Sequence, residues 1–348
     1  MKGRVIVLGE IQGREAAALM VDGQLEDLIL ESDLTLAPGA ICRAVVDRQM
    51  KGQGGVFVRL PEGEKGFLRE TGGLAPGQAV LVQVTGGREP GKALPVSTRL
   101  LFKSRHAIVT PGAPGLNVSR RIKETAIREE LEALAAEVMA GSEMGLILRS
   151  VCEFADEGEI AEDIGAMRGL AEAVLGDVDG QPELLVDAPT PHEEAWRDWA
   201  DPAPDEIAEG SSAMEDHGVA EALARLLQPR VDLPGGGHMM IEPTRALIAV
   251  DVNTGNDTSP AAALKVNIAA ARDLPRQLRL RGLGGQVVVD FAPMSKKDRV
   301  ALEQQLKAAF KGEAAETSLA GWTPLGNYEL QRKRDRIALA AILATRES

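Results

Sequence analysis

The chain has 348 residues, 44% hydrophobic and 26% charged, the balance of a folded globular protein rather than a disordered or fibrous one. That length predicts two or three domains. No apolar run approaches the roughly 18–20 residues of a membrane helix, and the opening MKGRVIVLGEIQG lacks the apolar core and cleavage site of a secretory signal. The two cysteines, Cys42 and Cys152, exclude a disulfide framework and a four-cysteine zinc site within one chain. A cytoplasmic location without membrane contact is the expectation.

The net charge of −13 argues against a nucleic-acid partner until its distribution is read. Residues 151–230 hold 21 acidic residues against 4 arginines, whereas the flanks carry a net +1 (1–150) and +3 (231–348). Acidity is confined to one block, and the flanks can still present basic grooves.

Taken in chain order, residues 4–8, 15–21 and 25–31 read as three short strands, broken by Gly13 and by Asp22-Gly23, a strong hairpin signal. GAICRAVVDRQ, GGVFVRLPEG, EKGFLRE and GQAVLVQVTGG then give four or five short strands with tight turns, as in a small antiparallel barrel. Helical periodicity covers 123–140 and 159–175, with a strand at 144–151 between them. The Pro- and acid-rich segment 187–216 is expected to contain a loop or flexible connection. RALIAVDVN (245–253) is a continuous apolar run, expected of a strand covered on both faces. Ser259-Pro260 starts a helix reaching about Arg281, with a kink expected at Pro275. Glycines 282, 284 and 285 end it, and QVVVDF (286–291) is a second buried strand. Strand, helix and strand over about 45 residues form a βαβ unit with parallel strands.

Asp251 and Asp290 both fall at the C-terminal strand ends, the edge of a parallel sheet where ligands bind. On adjacent strands the two carboxylates would lie side by side, with Asn253 pointing the same way. Two carboxylates and an amide oxygen suit Mg²⁺, which activates water and offsets charge on a phosphate. Strand-end aspartates also form turns or caps. Against that stands the cost of two neighbouring anions without a cation.

LPGGGHMMIEPTRALIAVDVNTG, RQLRLRGLGGQVVVDF and LGNYELQRKR together resemble the catalytic region of the ribonuclease E/G family. MKGRVIVLGE through ILE resembles the family's opening strands, and GGVFVRLPEGEKGFLRE its oligonucleotide-binding barrel. VSRRI followed by MGLILRS resembles its sensor of an RNA 5′-monophosphate. The implied fold is α/β with several subdomains. Residues 1–35 would be ribonuclease-H-like strands, 36–100 an inserted OB-fold RNA-binding barrel and 101–180 the 5′-sensor region. Residues 181–230 would be an acidic, shortened ribonuclease-H-like remainder, and 231–348 a deoxyribonuclease-I-like catalytic subdomain.

By that resemblance Asp251 and Asp290 hold magnesium and Asn253 assists them, in cleavage of single-stranded RNA to 5′-phosphate and 3′-hydroxyl ends. Phe57 and Phe67 match the barrel's RNA-holding aromatics; in an anonymous barrel both rings would more simply fill the core. Lys92 is a candidate phosphate contact or an ordinary solvated lysine. Arg149 and Ser150 match the 5′-phosphate sensor, Ser150 standing where the family's threonine is expected but keeping the hydroxyl donor. Ser119, Arg120 and Arg121, with Arg332, Lys333 and Arg334, form two basic clusters that would line the RNA path. Glycines 235–237 read as a turn, since no GKS or GKT follows. His106, His192, His217 and His238 show no metal-ligand spacing.

Three departures from the family follow. No CPxCxGxG-type zinc link is present, so zinc-linked tetramers are not expected, although a homodimer could form. A partner-recruiting tail is not expected, and the stretch between sensor and ELLVD is short. In addition, Pro293 stands where the family often has a further acid, which would weaken magnesium binding. The alternative reading is a non-catalytic RNA-binding protein that keeps barrel and sensor, and a third is a barrel-containing translation or ribosome-associated factor. Retention of Asp251, Asn253 and Asp290 favours the enzyme.

Overall fold

The computed structural model describes residues 3–50, 54–69, 72–89, 91–257 and 259–344. It is mixed α/β and divides into two compact units, Met1–Asp33 with Ala208–Ser348, and Leu34–Ile207. Among the described residues no helix is long and apolar enough to cross a membrane.

In the first unit, strands Arg4–Ile11, Arg14–Val21 and Gln24–Leu30 form an antiparallel meander. The turns fall where the sequence expects them, and Gln12-Gly13 and Asp22-Gly23 all have positive φ, the tight-hairpin geometry that follows the strand twist. Val5, Val7, Ala16 and Ala18 bury one face against Met214, Val219 and Leu223 of two short helices.

The same unit holds a six-stranded sheet. Its order is Arg230–Asp232, His238–Pro243, Ile248–Asn253, Gly285–Asp290, Tyr328–Arg332 and Thr317–Trp322. Ile248–Asn253 and Gly285–Asp290 are parallel neighbours joined through helix Pro260–Leu280, which Ser259 caps by accepting from the Ala262 N–H and which continues through Pro275. That helix and Lys296–Phe310 supply Val266, Ala270, Leu274, Leu278, Leu302 and Leu306 to a core with Val250, Val287 and Val289. The expectation of strands buried on both faces is corrected. Residues 248–253 alternate, with 248, 250 and 252 buried and Asp251 exposed, because this core draws on one face of the sheet.

The second unit opens with a closed five-stranded barrel consistent with an OB fold. Its strands Ile41–Met50, Gly55–Arg59, Lys65–Leu68, Leu94–Ser97 and Ala79–Val84 close through pairing of the first with the last. The Leu94–Ser97 strand, which lies outside the segments read as strands in the sequence, pairs parallel to Lys65–Leu68. A second sheet (Leu116–Val118, Gly145–Leu148, Ala107–Thr110, Phe102–Lys103) packs with helices Thr125–Val138 and Glu157–Gly176 around Val109, Leu146, Leu148, Leu131 and Ile164. The segment expected to contain a loop holds helix Pro191–Trp199, started by Pro191 and a reciprocal Thr190–Glu193 capping box. That Thr-x-x-Glu spacing was a readable helix signal.

Within the first unit, Glu313 accepts from Arg332 at 3.2 Å and also pairs with Arg279. Arg279 in turn reaches Glu26 of the meander at 2.5 Å. Glu313 and Arg332 are both almost fully buried. Loss of one member of a buried pair leaves its partner charged and desolvated, so Glu313→Gln is expected to destabilise the chain by about 3 kcal/mol. Urea unfolding at neutral pH measures this, and a cost under about 1 kcal/mol would show the pair to be dispensable.

Candidate active site and nucleic-acid contacts

The parallel register runs from Ile248↔Val287 to Asp251↔Asp290, so the two aspartates are direct cross-strand partners at the C-terminal rim. Val250, Val252, Val287 and Val289 point into the helix-covered core. Strand alternation then turns Asp251, Asn253 and Asp290 to the opposite face, where both carboxylates are exposed. The Asn253 Nδ2 donates to Asp251 Oδ2 at 2.7 Å. Asn253 thus meets Asp251 through its amide nitrogen and holds the carboxylate in one orientation, rather than lending its oxygen to that contact. Across the neighbouring strand, His238 is registered with Asn253 and Met240 with Asp251.

The donor set fits a small hard cation. Magnesium is commonly held by one or two carboxylates and keeps several waters. Among the described residues no group of three or more His, Cys, Asp or Glu side chains stands ready to enclose a metal, so an ion here would rest on Asp251 and Asp290 and remain open to solvent and substrate.

Phe57 and Phe67 face each other on adjacent barrel strands, their rings 5.5 Å apart and inclined at 58°. Val56, Val58 and Leu68 fill the barrel core, while both rings lie on the other face, half-exposed. A side chain at Gly55 could not coexist with this arrangement, because its Cβ would sit 2.4 Å from the Phe67 ring. Lys92 is exposed and pairs with Glu89 at 2.7 Å.

The two basic clusters differ. Arg120 and Arg121 are exposed. Arg332, expected on the surface, is instead buried against Glu313, because the alternation of Tyr328–Arg332 turns it inward with Tyr328 and Leu330. Arg334 is half-buried, its guanidinium packed over Gly285, where a Cβ would meet it at 2.2 Å.

Arg149 and Ser150 line a cleft of about 70 Å³ with Arg105, Arg121, Arg197, Asp198 and Asp201. Arg149 donates to the Ser104 and Arg197 carbonyls at 2.8 and 3.0 Å and to Asp198 Oδ1 at 2.7 Å. The Ser150 hydroxyl donates to Asp201 Oδ2 at 2.8 Å. Burial pushes the Asp198 carboxyl up, but the hydrogen bonds and charges of Arg197 and Arg149 outweigh it and hold the group below the usual carboxylate range. The acidic partners and Arg197 went unnoticed in the sequence, where they form part of the segment expected to contain a loop.

A family model described as "Ribonuclease E/G family" matches residues 102–214 and 206–335. The chain belongs to the ribonuclease E/G family. It is 31% identical to ribonuclease E of Nostoc sp. over 92% of its length and 54% of that relative, and 29% identical to ribonuclease E of Synechocystis sp. over 92% and 55%. Ribonuclease G of Escherichia coli K12 is 28% identical over 77% of this chain and 62% of its own length. The chain thus spans between about half and three-fifths of these curated relatives. The residues matched to the ribonuclease E/G model include Asp251, Asn253, Asp290, Arg149 and Ser150, whereas Phe57, Phe67 and Lys92 precede them.

Like charges directly opposite on neighbouring strands oppose folding by roughly 0.2–1 kcal/mol. Asp290→Asn, in chelator, is therefore expected to unfold at the same or a slightly higher urea concentration than the native chain. A loss above about 1 kcal/mol would mark Asp290 as a structural cap instead.

Proposed function

We propose that this ribonuclease E/G chain is a magnesium-dependent endoribonuclease that hydrolyses single-stranded RNA to 5′-phosphate and 3′-hydroxyl ends, in RNA processing or turnover. The observation that carries the reading is the in-register exposure of Asp251 and Asp290 on one sheet rim. The names of the relatives, ribonucleases E and G, support the reaction class.

Asp251 and Asp290 would hold the ion, with Asn253 keeping Asp251 in its binding orientation through the amide hydrogen bond. Bound magnesium would supply acidification of water and neutralisation of charge on the phosphate. Asp251 and Asp290, open to solvent, leave room for an RNA backbone to approach, and their paired negative charge keeps that backbone away unless a cation intervenes. On the barrel, the half-exposed faces of Phe57 and Phe67 offer stacking to unpaired bases without sequence preference. Arg120 and Arg121 are suited to phosphate contacts, which orient a strand without reading its sequence. Lys92, engaged with Glu89, is a weaker candidate, and the buried Arg332 supports the sheet instead.

Two measurements test the proposal. Purified protein should cleave an unstructured RNA with Mg²⁺ and lose the activity in chelator, and Asp251→Asn or Asp290→Asn should lower the rate at least about 10³-fold, the scale of losing a principal charge-stabilising group. Cleavage that persists in chelator sinks the metal mechanism. RNA binding with no cleavage under any divalent cation favours a purely RNA-binding role. Separately, Phe67→Ala is expected to weaken binding of an uncleavable oligonucleotide by about 1–3 kcal/mol. Gly55→Ala should produce part of that loss by displacing the Phe67 ring, and an unchanged affinity in both variants would remove the stacking role.

A further inference from the structure

The arginine-lined cleft around Arg149 has its own counter-anions. A guanidinium has five N–H donors and a serine hydroxyl one. Arg149 spends three of its five on the Ser104 and Arg197 carbonyls and on Asp198. Ser150 spends its single proton on Asp201. Asp198 is further clamped by Arg197, whose Nη2 and Nε lie 2.7 and 3.2 Å from its other oxygen. Both carboxylates come from one short stretch, the last turn of the Pro191–Trp199 helix and the residues just beyond it. Arg105 and Arg121 complete the lining. Neither has a carboxylate partner among the described residues, and Arg105 rests on the Trp196 ring, 4.8 Å from its centre.

From this we infer that Asp198 and Asp201 are specificity-determining residues: they take one Arg149 N–H and the Ser150 proton as an internal stand-in for a phosphate and leave the chain indifferent to a 5′-terminal phosphate on its RNA. The inference rests on the ribonuclease reading above, for which the cleft is the expected reader of that phosphate.

Three physical points carry it. A tethered group competes at an effective concentration on the order of millimolar or more, which an RNA end does not reach. The Ser150 proton cannot serve Asp201 and an incoming oxyanion together. A phosphate that did displace the carboxylates would keep them as neighbours, and its charge of about −1.5 to −2 would be repelled by Asp201, left without its serine, and by Asp198, left with Arg197 alone. Arg105 and Arg121 leave the cleft positive and able to attract RNA backbone, which does not distinguish one phosphate from another.

The test uses the full chain in chelator, so that cleavage plays no part, and two probes. The first is an uncleavable 2′-O-methyl oligonucleotide carrying either a 5′-monophosphate or a 5′-hydroxyl, with affinity read by fluorescence anisotropy at fixed salt. The second is inorganic phosphate, read by calorimetry. The native chain is expected to bind the two oligonucleotides within about twofold of each other, whereas D198A/D201A should prefer the 5′-monophosphate by about tenfold, the scale of one restored charge-assisted hydrogen bond. Adding Arg149→Ala to that variant should erase the preference. Inorganic phosphate should bind the double variant more tightly than the native chain.

A native preference above about fivefold, on the same affinity scale, would overturn the inference. So would a double variant that gains affinity equally for both ends, or gains none. Circular dichroism checks the fold, and D198N/D201N, which keeps side-chain size, reads the same quantities if the alanine variant is unfolded. If neither oligonucleotide binds any of the proteins, the RNA reading fails. The phosphate arm still decides between the two outcomes for the carboxylates.

Discussion

The constraint on which the candidate chemistry depends is the register between Ile248–Asn253 and Gly285–Asp290. Side chains alternate with a period of two, so a slip of one residue would send Asp251 and Asp290 to opposite faces of the sheet. The register is fixed by what lies beneath it. Val250, Val287 and Val289 are packed under Val266, Ala270 and Leu274 of the connecting helix, and moving one strand by a residue would exchange its valines for its own aspartate, Asp251 or Asp290. Burying that carboxylate unpaired would cost far more than the packing returns. The hydrophobic core therefore specifies the position of the charged pair, although it touches neither aspartate.

The one-sided sheet follows from the same economy. Helices Pro260–Leu280 and Lys296–Phe310 contribute the apolar residues of this core, while Asp251 and Asp290 remain exposed. Buried Glu313 is matched by Arg279 and Arg332, whereas buried Arg281 is held by the Leu226 and Gln228 carbonyls. The rim pair differs, since its charges repel and, among the described residues, the side chain that bonds them is the neutral amide of Asn253. Glu313 is compensated by its arginine partners. The rim carboxylates are the kind of group left for something else to compensate.

Much of this was legible in the sequence, for identifiable reasons. The Asp22-Gly23 turn, the Ser259-Pro260 helix start and the βαβ spacing are local signals whose physics does not depend on the rest of the chain. The parallel pairing of the two strands followed from the crossover helix. Other features needed the tertiary structure. Residues 245–253 are nearly all apolar, and composition alone does not reveal that one face remains uncovered. Arg332 reads like its exposed neighbour Lys333 until the strand's alternation turns it onto Glu313. The acidic stretch 187–216 resembled a solvated linker because its charges were counted without their partners, Arg149 and Ser150, which lie about 50 residues earlier. The capping box at Thr190 was the local clue that went unread.

The two sites balance charge in opposite ways. At the rim, Asp251 and Asp290 have no ion pair with a cationic side chain among the described residues, and a mobile cation would stabilise the site. In the cleft, cationic Arg149 and Arg197 are answered by Asp198, and Ser150 by Asp201. The difference follows from donor and acceptor counts: an incoming ligand contributes most where the fold leaves a charge unanswered, and must compete where the fold has supplied its own partner. On that basis the exposed aspartates make the rim a ligand-dependent element of the molecule, and in the proposed reading the cleft, where Arg105 and Arg121 have no carboxylate partner among the described residues, guides RNA backbone rather than reading its end.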